Sequence, residues 1–399
     1  MMIRRRLSAL LMALCAACAV GSITGTSLSG AAAQGAGRSQ QAAEPSTIER
    51  VNEGTIGLAG GLLEGTFIRF AAEIAKVVDD PPNLRVLPVV SYGAVGNVSD
   101  LLYLKGIDVA ITQADVLDYF KREGNVPNIG DRIHYIARFF VAEVHVYVRS
   151  EIKTFEDLAG KKVSFNTVGS AANLTGGIVF DRLGVAVERV YMNNAAALEK
   201  MRNGDIAGIV HVVGKPNELL SKFKPEPGFH FLTLEYSDKF KDYYVPADIT
   251  SDDYPNLIAK GEHVDTIGVP TVLAVYNWPK SSDRYARVAR FIEQFCLKFD
   301  QFKQPPFQPK WQEINLAATV PGWKRYSVAE DVIGRINTAQ PVPPVSSRAE
   351  VIPDLEEKFN NFLAKWKRNN GKSRISETDR ANLFQEYRAL IEKEQKNGR

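Results

Sequence analysis

Residues 55–78, TIGLAGGLLEGTFIRFAAEIAKVV, constrain the fold of this chain more than any other stretch. A short apolar run at 55–58 passes into a turn holding Gly57, Gly60, Gly61 and Gly65, and the pattern then becomes periodic. Phe67, Phe70, Ala71, Ile74, Val77 and Val78 fall at i, i+3, i+4, i+7, i+10 and i+11, the apolar stripe of an amphipathic helix. Strand, glycine turn and helix start, in that order, present unpaired backbone N–H groups at the positive end of a helix dipole with no side chain in the way. Such a corner suits an anionic group. It is not a nucleotide fingerprint, because G-x-G-x-x-G is absent.

The plan recurs. After the first unit come the strand LRVLPVVSY, which Pro88 weakens toward an edge or bulge, a loop at 93–96 and a helix over 97–105. The strand IDVAITQAD stops at Gln113, Ala114 and Asp115, a helix covers 116–123, and RIHYIARFF and EVHVYVRS read as two further strands. TFEDLAG at 154–160 is a capped short helix, followed by the strand VSFN, a second small-residue turn from Gly169 through Ser170 to Asn173, and a second helix to Leu183. A strand, a helix over 195–202 and the strand DIAGIVHVV then end at Gly214, Lys215 and Pro216. KGIDVAI at 105–111 and NGDIAGI at 203–209 match, each with a glycine ending a helix and an aspartate opening a strand.

Two successive blocks of this kind predict an α/β fold with two lobes, mainly parallel sheets and a ligand cleft beyond the carboxyl ends of the strands. The strand-like TIGVPTVLAVYNW, residues 266–278, is expected to return to the first lobe, with the helix at 285–302 covering it. Lobe 1 is thus assigned to 51–148 plus 264–340 and lobe 2 to 149–263.

The ends read differently. Arg4, Arg5 and Arg6, an apolar run and Ala31 to Ala33 describe a secretory signal peptide over 1–33, followed by a flexible leader over 34–50. Cleavage leaves Cys296 alone, a buried structural thiol with no intramolecular disulfide partner. Residues 341–399 read as a proline-rich linker and C-terminal helices too short and charged to span a membrane. The net charge of +3 is spread rather than patched, so nothing points to nucleic acid.

The order and spacing of GxxGGxxxGTF at 57–67, QAD at 113–115, EVHVYVRSEIKTFEDLAGKKVSF at 143–165, Gly169-Ser170, NGDI at 203–206 and GVP at 268–270 resemble the TAXI family. Those are extracytoplasmic solute receptors of TRAP transporters with the type II periplasmic-binding-protein fold. The resemblance covers about residues 55–302. It implies a periplasmic, non-enzymatic receptor without a cofactor. Such a receptor captures a small organic acid or amino acid, such as glutamate or a 2-oxo acid, closes, and delivers it to a TRAP-type permease. A sensory module reporting solute to a membrane partner is the alternative.

Position by position, the resemblance places Gly65, Thr66 and Phe67 at the opening of the first helix, Gln113 and Asp115 at a strand end, Ser170 in the second loop and Pro270 on the hinge side. Gly61 belongs to the first corner, and Asn173 stands where the family carries Gly-Thr. Glu64 departs from the family's Gly- and Thr-rich loop. Either it complements its own helix dipole, or it faces the cleft, where it disfavours dicarboxylates and favours a ligand with an amine. Lys215 either pairs a ligand carboxylate or is a solvated loop lysine, and Asp115 either touches ligand or caps the helix that follows it. Gln113 is a strand-end polar group suited to fixing orientation, and Phe67 and Tyr92 either wall the ligand or are core.

Catalytic and metal readings find little support. His134, His145, His211, His230 and His263 are scattered, with no metal-ligand spacing, and Ser170 lacks the G-x-S-x-G elbow. His145 and His211 alternate with valines, as sheet-face or satisfied core histidines do.

Overall fold

The computed structural model describes residues 46–338 apart from Pro82. The signal peptide, the start of the leader and the C-terminal linker and helices lie outside the described residues. The leader, expected to run to residue 50, instead gives way to a helix at Thr47–Glu53. Its start is a capping box: Ser46 N–H donates to Glu49 Oε2 at 2.7 Å and Glu49 N–H to Ser46 Oγ at 3.2 Å.

The strands are β1 (Thr55–Gly61), β2 (Arg85–Val90), β3 (Val109–Gln113), β4 (Ile133–Val148), β5 (Lys162–Ser164), β6 (Glu188–Val190), β7 (Gly208–Val213), β8 (His230–Phe231), β9 (Val245–Thr250) and β10 (His263–Tyr276). They form one sheet in the order β2-β1-β3-β10-β4-β7-β5-β6, with β8 on β4 and β9 on β10. At one end β2, β1 and β3 run parallel, and at the other β6, β5 and β7 do so. Antiparallel β10 and β4 join the two ends. The result is a mixed α/β fold of two parallel halves.

The two strands read into 132–150 are a single strand, because no turn-forming residue interrupts the apolar run through Val141 and Ala142. Residues 133–143 of β4 pair with β10, and 143–148 pair with β7. Similarly β10 pairs with β9 over 263–268 and with β3 over 271–275. Both long strands therefore run from one half into the other. Thr271 Oγ1 donates to the Phe140 carbonyl at 2.7 Å and Thr266 Oγ1 to that of Val144 at 2.6 Å, tying the crossing pair together.

β1 extends to Gly61, so Gly57 and Gly60 are strand residues rather than turn residues. Gly57 is required by close approach: a Cβ there would lie 1.7 Å from the Gly106 carbonyl oxygen. The helix Thr66–Val78 follows and buries Phe67, Phe70, Ala71, Ile74 and Val78. Phe70 stacks on Trp311 at 4.3 Å, and Glu73, on the same helix, accepts the Trp311 indole N–H at 2.6 Å. The segment around Trp311 is thereby docked on the first half. The helix Asp283–Leu297 buries Phe291, Ile292, Phe295 and Cys296, and burial pushes the Cys296 thiol up to about 12.

Candidate functional site

The carboxyl ends of β1 and β2 face those of β5 and β7 across one cavity. On the first side, the helix Thr66–Val78 starts at Gly65, with no side-chain cap and no acid in its first turn, leaving N–H groups for another acceptor. The helix Ala94–Tyr103 likewise starts at Gly93, φ +96°, without a side-chain cap. Asn97 positions that loop: its Nδ2 donates to the Ile111 carbonyl at 2.6 Å, and its Oδ1 accepts from Ser91 Oγ at 2.5 Å.

On the opposite side β5 ends and Asn166 adopts a left-handed φ of 56°. Gly169, φ +85°, then turns the chain into Ser170 and a π-helical turn at Ala172–Gly176. Gly96 N–H donates to the Gly169 carbonyl at 3.2 Å, so the two corners touch. The space between them is a cavity of about 40 Å³, lined by Gly61, Glu64, Gly65, Thr66, Phe67 and Tyr92 and by Asn166, Ser170 and His211. This is room for roughly one water, far below the ~300 Å³ of an ordinary ligand pocket. The halves are shut on one another.

Glu64 does much of the shutting. Its Oε1 accepts the Asn194 backbone N–H at 3.0 Å and lies 3.4 Å from Asn166 Nδ2, while its own carbonyl accepts from Asn217 Nδ2 at 2.8 Å. Asn194 is the first residue of the helix Asn194–Arg202, so the carboxylate complements the dipole of a helix in the opposite half rather than its own. Thr66 Oγ1 donates across to the Gly214 carbonyl at 3.0 Å. Phe67 lines the cavity and packs edge-on against Phe140, with centroids 6.1 Å apart, so it is wall and core at once. Tyr92 is exposed at the rim. Ser170 Oγ accepts from Asn173 N–H at 3.2 Å.

Five of the expected positions do not line this cavity. Gln113 and Asp115 are buried outside its lining. Thr175 Oγ1 donates to Asp115 Oδ2 at 2.7 Å and lies 3.2 Å from Gln113 Oε1. Asp115 makes no side-chain cap to its own helix. Burial pushes its carboxyl up to about 6, against the hydrogen bonds from Thr175 and Tyr244. Asn173 turns its Oδ1 back to the Gly169 N–H at 3.1 Å and lines a separate groove. Lys215 is neither a solvated lysine nor free for a carboxylate, because its Nζ lies 2.7 Å from Asp248 and 3.0 Å from Asp253. Pro270 is buried in β10, where the register with β4 shifts.

Residues missed in the sequence complete the site. Asn166 and Asn217 reach Glu64, and Asn194 is fully buried with both amide atoms unpartnered. His211 lines the cavity, 4% exposed, and its Nε2 has no partner, so it is not a satisfied core histidine. Burial, with neighbouring His145, pushes its pKa down to about 3 and keeps it neutral. His145 itself is satisfied: Nδ1 donates to the Glu143 carbonyl at 2.9 Å and Nε2 takes the Tyr254 hydroxyl at 3.0 Å. An asparagine directly after the strand VSF was the one signal available for Asn166. For His211 there was none, since a strand histidine among valines looks the same with or without a partner.

Among solved structures, the chain is similar to a mutant of ArgBP from T. maritima at 16% identity and a TM-score of 0.37, covering 64% of this chain and 94% of that one. It is similar to an amino acid ABC transporter substrate-binding protein from Streptococcus pneumoniae, bound to L-arginine, at 13% identity and a TM-score of 0.39, covering 68% and 100%. A Salmonella typhimurium periplasmic binding protein of high arginine specificity matches at 15% identity and a TM-score of 0.39, covering 65% and 98%. Among the described residues, no helix is long and apolar enough to cross a membrane. The sequence pattern of the NMT1-like family spans residues 58–293, more than half the chain, and takes in both corners and both crossing strands; the chain belongs to the NMT1-like family.

Proposed function

We propose that this protein is an exported, periplasmic solute receptor, without enzymatic activity, that closes on a small carboxylate-bearing solute, an amino acid such as glutamate or a 2-oxo acid. We further propose that it hands the solute to a TRAP-type secondary transporter, as the TAXI-like order of its motifs implies. The observation that carries the reading is the juxtaposition of the uncapped start of the helix Thr66–Val78 with Asn166, Ser170 and the unpartnered Nε2 of His211 across one cavity. Backbone N–H groups at a helix start favour an anion, and a neutral buried imidazole supplies one further polar contact that fixes its orientation.

The halves act as lobes, hinged where β4 and β10 cross between them at Glu143 and Gly268. Two strands crossing between two parallel blocks allow a bend, and opening at this hinge admits the solute. Thermal shift against amino acids, 2-oxo acids and dicarboxylates tests the reading, because a ligand that binds only the folded state raises Tm in proportion to ln(1 + [L]/Kd). A rise of several degrees with one of these acids is expected. A response confined to sugars or metal ions would overturn the solute class.

A further inference from the structure

We propose that residues 237–244 are a latch that holds the two halves shut from outside the cavity, so that two tyrosine hydroxyls that never touch the solute set how long the closed state lasts. The inference rests on the receptor reading above for solute release, and on geometry alone for closure. The segment belongs to the second half. It runs between β8 and β9, and its fully buried Phe240 packs edge-on against Tyr244 with centroids 6.1 Å apart. Arg182, on the helix Gly177–Leu183, clamps it there. The guanidinium donates to both carboxylate oxygens of Asp242, at 2.8 and 2.6 Å, and to the Lys239 carbonyl at 2.6 Å. It also lies 5.4 Å from the centre of the Tyr244 ring.

From this anchored base two adjacent side chains cross to the first half. The Tyr244 hydroxyl donates to Asp115 Oδ2 at 3.1 Å, and the Tyr243 hydroxyl donates to Asp118 Oδ2. Asp115 precedes the helix Val116–Glu123 and Asp118 lies in its first turn; Val116, Leu117 and Phe120 bury that helix in the first half. None of Asp115, Asp118, Tyr243 and Tyr244 lines the cavity. Their hydrogen bonds are therefore made when the halves shut and broken when they part, whatever solute lies between. Asp115 is 1% exposed, and both donors to its Oδ2, Tyr244 and Thr175, come from the second half. Opening strips the carboxylate of both at once, which is the barrier the latch adds. Asp118 contributes less, because its side chain is 32% exposed and keeps Lys121, at 2.8 Å, when Tyr243 leaves. A latch that strengthens the closed form with and without solute acts on the rates of entry and release more than on affinity.

The test compares the full wild-type chain with Tyr243→Phe, Tyr244→Phe and the double variant, which keep the rings and delete only the hydroxyls. Small-angle scattering without solute reads closure directly. The radius of gyration should rise from wild type through Tyr243→Phe and Tyr244→Phe to the double variant. Arg182→Ala, which keeps both hydroxyls but frees their base, should move it the same way. Glu73→Gln disturbs the Glu73–Trp311 bond within the first half alone, so it should lower Tm without changing the radius. Stopped-flow release of L-glutamate should be about tenfold faster in the double variant, the scale of one hydrogen bond to a charged group, with a smaller change in Kd. A radius unchanged in all the tyrosine variants overturns the proposal, as does a radius that rises in Glu73→Gln to the same extent. Release within twofold of wild type overturns it too. If L-glutamate does not bind the wild type, scattering still decides the latch, whereas failure of every acid in the thermal-shift screen sinks the receptor reading and leaves the latch a device of closure.

Discussion

Thr175 Oγ1 donates to Asp115 Oδ2 at 2.7 Å, joining a π-helical turn of one half to the end of β3 in the other. Tyr244 adds its hydroxyl to the same oxygen at 3.1 Å, while Asp115 Oδ1 has no partner. A buried carboxylate thus depends on two hydroxyls from across the junction. Thr175→Val keeps the shape and deletes one donor, and it should cost about 1–3 kcal/mol, the penalty for leaving a buried acceptor short of a partner. Thr175→Ser should recover most of that loss. Urea unfolding of the three proteins checks this; equal losses in Val and Ser variants would assign the effect to packing instead.

Asp115 also makes a pH prediction. Its carboxyl ionises near 3.8 in the unfolded chain and near 6 in the folded one, raised by burial. Between these values the folded state holds more protons, so stability from this group is greatest at low pH and declines as pH rises to about 6. A difference of about two pKa units corresponds to ~3 kcal/mol. Burial pushes His145 down to about 4, which gives the opposite slope: its contribution is full above the unfolded histidine value and is lost as pH falls. The two overlap in the wild-type curve. Subtracting the wild-type curve from that of Asp115→Asn isolates the carboxyl, and the difference should climb from pH 4 to 6 and then level off. A flat difference would mean that Asp115 ionises normally.

The parallel halves were legible because a strand, a bare turn and an amphipathic helix are local patterns, and both blocks repeat them. Pro88 likewise marked β2 as an edge strand, where its missing N–H costs no ladder bond. What stayed hidden depends on partners far along the chain. Nothing local reveals that Glu64 meets Asn194, 130 residues on, or that Lys215 is held by Asp248 and Asp253. β4 was split in two because an unbroken β-branched run does not say that its ends pair with different neighbours. Glu73 interrupts no helical periodicity, so its bond to Trp311 left no trace either.

Lys310 and Glu143 form an ion pair at 2.7 Å with both side chains 3% exposed. Glu143 sits where β4 passes between the halves, and its Oε2 also accepts the Lys215 N–H at 3.0 Å. Burial pushes its carboxyl up to about 7, against the pull of Lys310. Lys310→Met strands that carboxyl and should destabilise the protein by about 3–5 kcal/mol, whereas adding Glu143→Leu should return part of it. A double-mutant cycle in guanidinium measures the difference. Additive losses would mean that the pair is not coupled.

Lys215 separates the cleft assigned here from the one expected on sequence grounds. Its ammonium loses hydration on burial, yet Asp248 and Asp253 outweigh that and raise its pKa. Removing it leaves Asp253, whose side chain is 16% exposed, without its counter-ion, while half-exposed Asp248 is rescued by water. Lys215→Met should therefore cost about 1–2 kcal/mol of stability, less than for a fully buried pair. It should leave solute affinity within twofold of wild type, because Lys215 does not line the cavity. His211→Phe makes the contrast: it fills the same wall without the unpartnered nitrogen, and should weaken solute binding about tenfold while leaving the fold intact. Calorimetric titration of both variants with the solute found by thermal shift decides between them. A tenfold loss in Lys215→Met with no change in His211→Phe would move the site to the Gly214–Pro216 turn.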